Sequence, residues 1–144
     1  MPLILHRADG GVSILRPIDG EDIAEEIAKW EASAPPEWLP ATSIQAEEAD
    51  IPGDRTWRDA WAMQGGKIDV AIDKAKEVQK ARLRAEREPK LAALDVQYMR
   101  AIEAKDNKLA AEIAAKKQAL RDITADPRIA AATTTQELAA VTLP

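Results

Sequence analysis

A long tract rich in alanine, lysine, arginine and glutamate constrains the fold of this chain more than any other feature of its sequence. It runs from Asp73 to Ile123 and contains a single proline, Pro89. These residue types have high helix propensity, and an aspartate such as Asp73 is suited to cap a helix N-terminus, so the tract predicts helical structure. Proline lacks an amide hydrogen and its ring clashes with the preceding turn. We therefore expect Pro89 to end or kink the helix near residues 87–88.

Two apolar stripes divide this tract. The first consists of Leu91, Leu94, Tyr98 and Ile102, widened by Val96 and Met99, and the second consists of Leu109, Ile113, Leu120 and Ile123. Each stripe is too narrow to be stable without a partner, so we expect an antiparallel helical hairpin that turns near Asp106 and buries both stripes. Asp126 and Pro127 should end the tract, and the residues after Thr133 predict a capped short helix that reaches about Val141.

The N-terminal part of the sequence predicts small β-structures. Two short runs of branched apolar residues, 3–7 and 12–16, flank Asp9-Gly10-Gly11 and predict a β-hairpin. Residues 21–33 have the apolar spacing of a helix, and the proline-rich residues 34–54 predict a linker in which Trp38-Leu39 and Ser43-Ile44 could dock on the hairpin as a third strand. A second short hairpin is expected to turn at Gly65 and Gly66.

These elements predict an α+β fold that is mainly α. We expect two domains. The first, residues 1–54, is a small module of β-hairpin and helix with a proline-rich linker. The second, residues 55–144, is a short β-hairpin followed by the helical hairpin and a C-terminal short helix.

The composition argues against an enzyme. The 144 residues include no cysteine and one histidine, His6, which excludes thiol chemistry and leaves little for a zinc site or a catalytic triad. Acidic pairs such as Glu21 with Glu25 lie in polar stretches, and no glycine-rich phosphate loop is present. We therefore expect no catalytic residues, no metal and no cofactor. No apolar stretch approaches the roughly 20 residues of a membrane span, and the N-terminus does not resemble a secretory signal, so the protein is expected to stay in the cytoplasm.

Charge is unevenly distributed along the sequence. Residues 1–60 hold 13 acidic and 5 basic residues, whereas residues 61–144 hold 12 acidic and 15 basic residues. The most basic run, residues 74–90, includes Arg82, Arg84 and Arg87 and suggests nucleic-acid binding as one alternative. The bases are spread around a helix and no aromatic residue is interleaved, so a solvated helix face is the favoured interpretation. The four tryptophans all precede residue 62 and are expected to anchor a small N-terminal core.

Several segments together resemble small proteins encoded among the tail genes of tailed bacteriophages. These segments are residues 55–61 (RTWRDAW), the Gly65-Gly66 turn, residues 74–84 (KAKEVQKARLR) and residues 117–123 (KQALRDI). The family includes tail-fibre-associated proteins and tail fibre assembly chaperones. The similarity covers roughly residues 54–128. The chaperones usually end soon after the last of these elements, with a Trp-Pro segment. This chain instead continues to Pro144.

The resemblance implies a non-enzymatic protein that binds other phage tail proteins of the fibre or baseplate. The leading hypothesis is a structural or attachment component of the virion tail, with a tail fibre assembly chaperone in the host cytoplasm as the alternative. We expect Trp57 and Trp61 to hold the second hairpin to the helical rod, and Arg82 and Arg84 to be exposed contacts. With Arg87, these are the predicted partner-binding residues. Alanine-rich helix faces would also allow self-association, and the oligomeric state stays open.

Overall fold

The computed structural model describes residues 1–144 and divides them into two units, Met1–Lys74 and Ala75–Pro144. Unit 1 contains five strands in two small antiparallel sheets and one helix of eleven residues, and unit 2 is helical. The predicted α+β class with a mainly helical content is confirmed. None of the helices has both the length and the hydropathy that a membrane span requires.

The first sheet of unit 1 has three strands. Strands β1 (Leu3–His6) and β2 (Val12–Leu15) form the predicted hairpin, and β3 (Thr42–Gln45) pairs with the other side of β1 in antiparallel register. Ser43 and Ile44 of the suggested third strand therefore complete the sheet, whereas Trp38 and Leu39 do not belong to it, because Trp38 ends a short 3₁₀ helix, Pro36–Trp38. His6 lies in the central strand and is half-buried.

The remaining elements of unit 1 are a helix and a second hairpin. Helix α1 (Ile23–Ser33) begins after Asp22, whose carboxylate accepts a hydrogen bond from the Ala24 amide and so caps the helix. Strands β4 (Trp61–Gln64) and β5 (Lys67–Val70) turn at the two glycines. Both glycines have positive φ, 58° at Gly65 and 82° at Gly66, a conformation that explains their use in this turn.

The core of unit 1 joins both sheets. Ile4 and Val12 of the first sheet share a buried cluster with Trp61 and Ile68 of the second. The predicted boundary between residues 54 and 55 is therefore corrected: the unit ends after Lys74. A two-stranded sheet alone buries too little apolar surface to be stable. The two sheets therefore pack against each other and share one hydrophobic core.

A single helix, α2 (Ile72–Glu103), forms the long predicted tract and contains Pro89 in its interior. Of the two expected effects of Pro89, an end of the helix is wrong, and a kink stays a prediction. Because proline has no amide hydrogen, the carbonyl of Ala85, four residues earlier, lacks its usual helical donor. Both residues are exposed, so water can donate a hydrogen bond to that carbonyl. Asp73 is also not the N-cap, because it lies within the first helical turn.

The predicted helical hairpin is present in unit 2. Helix α3 (Asn107–Asp122) follows a tight turn in which Lys105 has a φ of 58° and the Asp106 carboxylate accepts from the Leu109 amide. The two helices are antiparallel, because contacts further from the turn join earlier residues of α2 to later residues of α3. Ala101 packs near Ala110 beside the turn, and Asp95 forms an ion pair with Lys117 further from it.

Only part of each predicted stripe is buried. The contact between the helices is built from Leu94, Tyr98, Ala101, Ala110 and Ile113. Val96, Met99, Ile102 and Leu109 are exposed, which corrects the expectation that both stripes are covered. Two members of this contact, Ala101 and Ala110, are small residues, which let helix backbones approach each other.

The C-terminal segment covers the first half of α2. It contains two short helices, α4 (Pro127–Ala131) and α5 (Thr135–Ala139), the second of which matches the predicted capped helix. The side chain of Gln79 donates to the carbonyl of Val141 at 3.0 Å, and Lys76 donates to the carbonyl of Ala130 at 2.8 Å. Leu83, Ile129, Leu138 and Val141 are almost fully buried. This segment is therefore part of the core of unit 2.

Candidate functional site

The two predicted partner-binding tryptophans are core residues. Trp57 is 7% exposed and Trp61 is 5% exposed, which agrees with their expected role as anchors of the N-terminal core. Both rings are largely buried, so neither projects freely into solvent, although Trp61 also lines a cavity that is described below. A role of either ring in partner binding stays a prediction. Their proposed role in holding the second hairpin to the helical rod stays a prediction.

The three predicted arginines of α2 differ in their surroundings. Arg84 is exposed, as predicted, whereas Arg82 is half-buried and engaged in an interaction. Arg87 is half-buried, and its Nη1 donates to the carbonyl of Arg121 at 2.8 Å and to that of Leu120 at 3.4 Å. These carbonyls lie in the last turn of α3, where orphan acceptors and the helix dipole favour a cation. Arg87 therefore holds the hairpin together and is not an exposed contact.

Replacing Arg87 with alanine should lower the free energy of unfolding of unit 2 by about 1–2 kcal/mol, because a charged donor to two helix-terminal carbonyls is lost. Thermal unfolding followed by far-UV circular dichroism measures the effect. The control is Arg84→Ala, the same substitution at an exposed position of the same helix, which should change stability by less than about 0.5 kcal/mol. Equal losses in the two variants would contradict the structural role of Arg87.

The basic run of α2 is not a free cationic face. Lys76 binds the carbonyl of Ala130, Lys80 pairs with Glu77, and Arg87 binds the end of α3. The Lys80 ammonium is also the main reason that the pKa of Glu77 is lowered. Several of the bases that suggested nucleic-acid binding are thus engaged within unit 2, so this geometry does not favour that alternative.

A cleft in unit 1 concentrates its arginines. All four arginines of the unit, Arg7, Arg16, Arg55 and Arg58, line a cavity of about 450 Å³. Of the fifteen carboxylates in residues 1–74, only Asp59 lines it. Unit 1 contains seven basic and fifteen acidic residues, so its net charge is negative. The surface that contains all of its arginines therefore has the opposite charge to the unit as a whole. We refer to this cavity as the arginine–tryptophan cleft.

Three tryptophans form the apolar part of the arginine–tryptophan cleft. Trp30 of α1 and Trp38 stack with ring centroids 6.3 Å apart and planes 19° from parallel, and Trp61 contributes from the start of β4. The Arg7 guanidinium carbon lies 4.0 Å from the centre of the Trp38 ring, so the cation and the indole face attract each other. The cleft thus offers flat aromatic surface beside cationic hydrogen-bond donors.

The guanidinium of Arg7 is held in place by the first hairpin turn. It donates to both carboxylate oxygens of Asp9, at 3.0 and 3.1 Å, and that carboxylate also accepts from the Gly11 amide at 2.9 Å. Partial burial raises the pKa of Asp9, but the bonds from Gly11 and Arg7 outweigh it, so the pKa is lowered from its ordinary value. A Cβ at Gly11 would overlap the Arg7 guanidinium, so a larger residue there would displace that group from this position.

Acidification should release this anchor. The pKa of Asp9 is lower in the folded state than its ordinary value of 3.8, so ionised Asp9 stabilises unit 1 above that pH, and the contribution is lost as the pH falls through the lowered value. Urea unfolding followed by tryptophan fluorescence should show Asp9→Asn destabilised at neutral pH and the difference from the original chain shrinking below pH 3.8. Asp19→Asn, at an exposed position of the same unit, is the control. A difference that stays constant from neutral to acid pH would contradict the assignment.

A second surface lies on unit 2. Val96, Met99 and Ile102 of α2 are 52%, 58% and 45% exposed, and their spacing of three residues forms a continuous row along the helix. We call this row the apolar ridge. Contiguous exposed apolar side chains are typical of surfaces that bind other proteins.

The arginine–tryptophan cleft was not predicted from the sequence. Its arginines come from the first hairpin and from the segment before β4, so they are far apart in the sequence. They also lie among a larger number of acidic residues, so no basic run marks them. One signal did point to it: four of the seven residues in RTWRDAW, namely Arg55, Arg58, Asp59 and Trp61, line the cleft. The three residues of the apolar ridge belong to the first predicted stripe, for which the sequence predicts burial and not exposure.

No group of three or more histidine, cysteine, aspartate or glutamate side chains is arranged to hold a metal ion. In comparisons with known proteins, no family model matches the sequence, and no significant match was found among curated proteins or solved structures.

Proposed function

We propose that this chain is a non-enzymatic structural or attachment protein of a bacteriophage tail, placed at the tail tip, baseplate or fibre, which acts by binding other tail proteins. The resemblance of residues 55–61, 74–84 and 117–123 to tail-gene products suggests the setting. The observation that carries the binding role is the apolar ridge, because its three large apolar side chains are about half exposed to solvent.

The geometry of the helical hairpin supports this role. The ridge lies on α2 close to the turn at Lys105 and Asp106, away from the part of α2 that the C-terminal segment covers. Burial of a Val, Ile or Met side chain contributes about 1.5–3 kcal/mol, so covering the ridge with a partner would be favourable. A partner helix that lays its own apolar face on this row would need no rearrangement of unit 2.

Mass spectrometry of purified phage particles that encode this chain tests the proposal. The protein should be present at a fixed stoichiometry to the other tail proteins. Met99→Glu, which places a charge at the centre of the ridge, should reduce its incorporation at least tenfold, because an unpaired charge would be buried in the contact. Ala111→Glu is the matched control, since Ala111 is exposed on α3 and lies outside the ridge.

Absence of the protein from intact particles would contradict a structural role. In that case, rescue of soluble fibre protein by co-expression would support the alternative, a tail fibre assembly chaperone. Equal incorporation of the Met99→Glu and Ala111→Glu variants would show that the apolar ridge does not carry the binding.

A further inference from the structure

We infer that the arginine–tryptophan cleft binds a short acidic peptide segment of a partner protein, with carboxylates on the arginines and an apolar side chain against the indole rings. The inference concerns unit 1 and is independent of the proposed tail function, which rests on the apolar ridge of unit 2. Its test uses the purified chain, so failure of either proposal leaves the other standing.

The first argument is charge complementarity. Arg7 is already paired with Asp9, and Arg16 is paired with Glu48. The side chains of Arg55 and Arg58 line the same cavity and make no hydrogen bond or ion pair within the chain, although Arg55 is near enough to Glu48 to contribute to the lowered pKa of that carboxylate. A guanidinium presents a planar fork of donors that matches a carboxylate, so these two arginines are unfilled sites for carboxylates.

The second argument is the edge of the first sheet. Strand β2 is an edge strand, because the strand order is β2-β1-β3, and its residues Val12, Ser13 and Ile14 line the cleft. Alternate amide and carbonyl groups of an edge strand have no partner in the sheet, and an extended peptide can pair with them. Asp59 supplies one acceptor for an amide of the same peptide.

The third argument is the apolar surface beside the arginines. The stacked pair of Trp30 and Trp38 lies with Trp61 on the wall of the same cavity. Tryptophan and arginine are the residues that most often dominate binding energy at protein interfaces. A volume of about 450 Å³ accommodates a few side chains, which fits a short segment and not a whole folded domain.

A peptide fits these observations better than a polyanion does. Unit 1 contains eight more acidic than basic residues, so it repels anions overall. A nucleic acid has one negative charge per phosphate and is repelled more strongly than a peptide with two or three carboxylates. Phosphate sites commonly use a helix N-terminus, whereas α1 contributes only Trp30, near its C-terminal end.

The test is a titration of the purified chain with a blocked five-residue peptide of alternating glutamate and leucine, followed by NMR of the four indole N–H groups. We expect the signals of Trp30, Trp38 and Trp61 to shift more than that of Trp57, which does not line the cleft. Arg58→Glu should weaken binding at least about tenfold, because a charge-assisted hydrogen bond is replaced by repulsion. Lys67→Glu is the control, since Lys67 is exposed in unit 1 and outside the cleft.

Three results would overturn the inference. The first is equal binding of a peptide in which glutamine replaces glutamate. The second is equal weakening by Arg58→Glu and Lys67→Glu, with both variants folded as judged by their indole spectra. The third is tighter binding of inorganic phosphate or of a single-stranded thymidine oligonucleotide than of the acidic peptide. Arg55→Glu serves as a second variant, and its expected effect is the same as that of Arg58→Glu.

Discussion

Replacing Trp61 with alanine should lower the free energy of unfolding of unit 1 by about 3–5 kcal/mol, because the change leaves a large cavity where the two sheets meet. Trp61 is buried in the same cluster as Ile4, Val12 and Ile68, so its ring contacts both sheets at once. Urea unfolding followed by tryptophan fluorescence measures the loss, since all four tryptophans lie in unit 1 and three remain in the variant.

The matched control for Trp61→Ala is Trp30→Ala. Trp30 is half-buried and stacks on Trp38, so its removal forfeits an aromatic pair and part of its burial but leaves the shared core intact. We expect a loss of about 1 kcal/mol. If Trp61→Ala cost no more than Trp30→Ala, the two sheets would not depend on a common core, and the boundary after Lys74 would lose its physical basis.

Leu138→Ala should destabilise unit 2 by about 2–5 kcal/mol, although only six residues follow Leu138 in the sequence. The residue is fully buried, together with Leu83 of α2 and with Ile129 and Val141 of the same C-terminal segment. Far-UV circular dichroism during thermal unfolding follows the helices of unit 2 and reports the loss.

Leu109→Ala makes the same substitution at a leucine that is 44% exposed on α3, and it should change stability by less than about 0.5 kcal/mol. The comparison separates burial from residue type, because both variants remove the same atoms from a helix of the same unit. A loss for Leu138→Ala as small as that for Leu109→Ala would mean that the C-terminal segment is an appendage and not a part of the core.

Local signals in the sequence were sufficient for most of the secondary structure. The two hairpins follow from short apolar runs around glycine turns, and α3 and α5 begin at residues whose side chains cap them, Asp106 and Thr134. Such elements can be predicted because the interactions that specify them span only a few residues. Pro89 shows the limit of this reasoning: a local rule predicted that the helix ends or kinks there, and the helix does not end, since the freed carbonyl belongs to an exposed residue that water can reach.

The candidate site depended on contacts between distant segments and so was largely beyond prediction. RTWRDAW was recognised as a motif, yet its arginines and Trp61 became a site only when the fold placed them beside Arg7, Arg16 and the stacked pair of Trp30 and Trp38. Likewise, the periodicity of α2 predicted an apolar face, but which part of that face is covered depends on where α3 and the C-terminal segment pack.

By itself, the sequence determined the fold class, the turns and the antiparallel hairpin, because helix propensity, capping and apolar periodicity act within a few residues of the chain. The tertiary structure alone decided three things: that the second hairpin shares a core with the first, that the ridge at Met99 stays exposed, and that all the arginines of an acidic unit meet at one cleft. The physical reason is that burial and electrostatic grouping depend on distances between segments far apart in the chain, and only packing sets those distances.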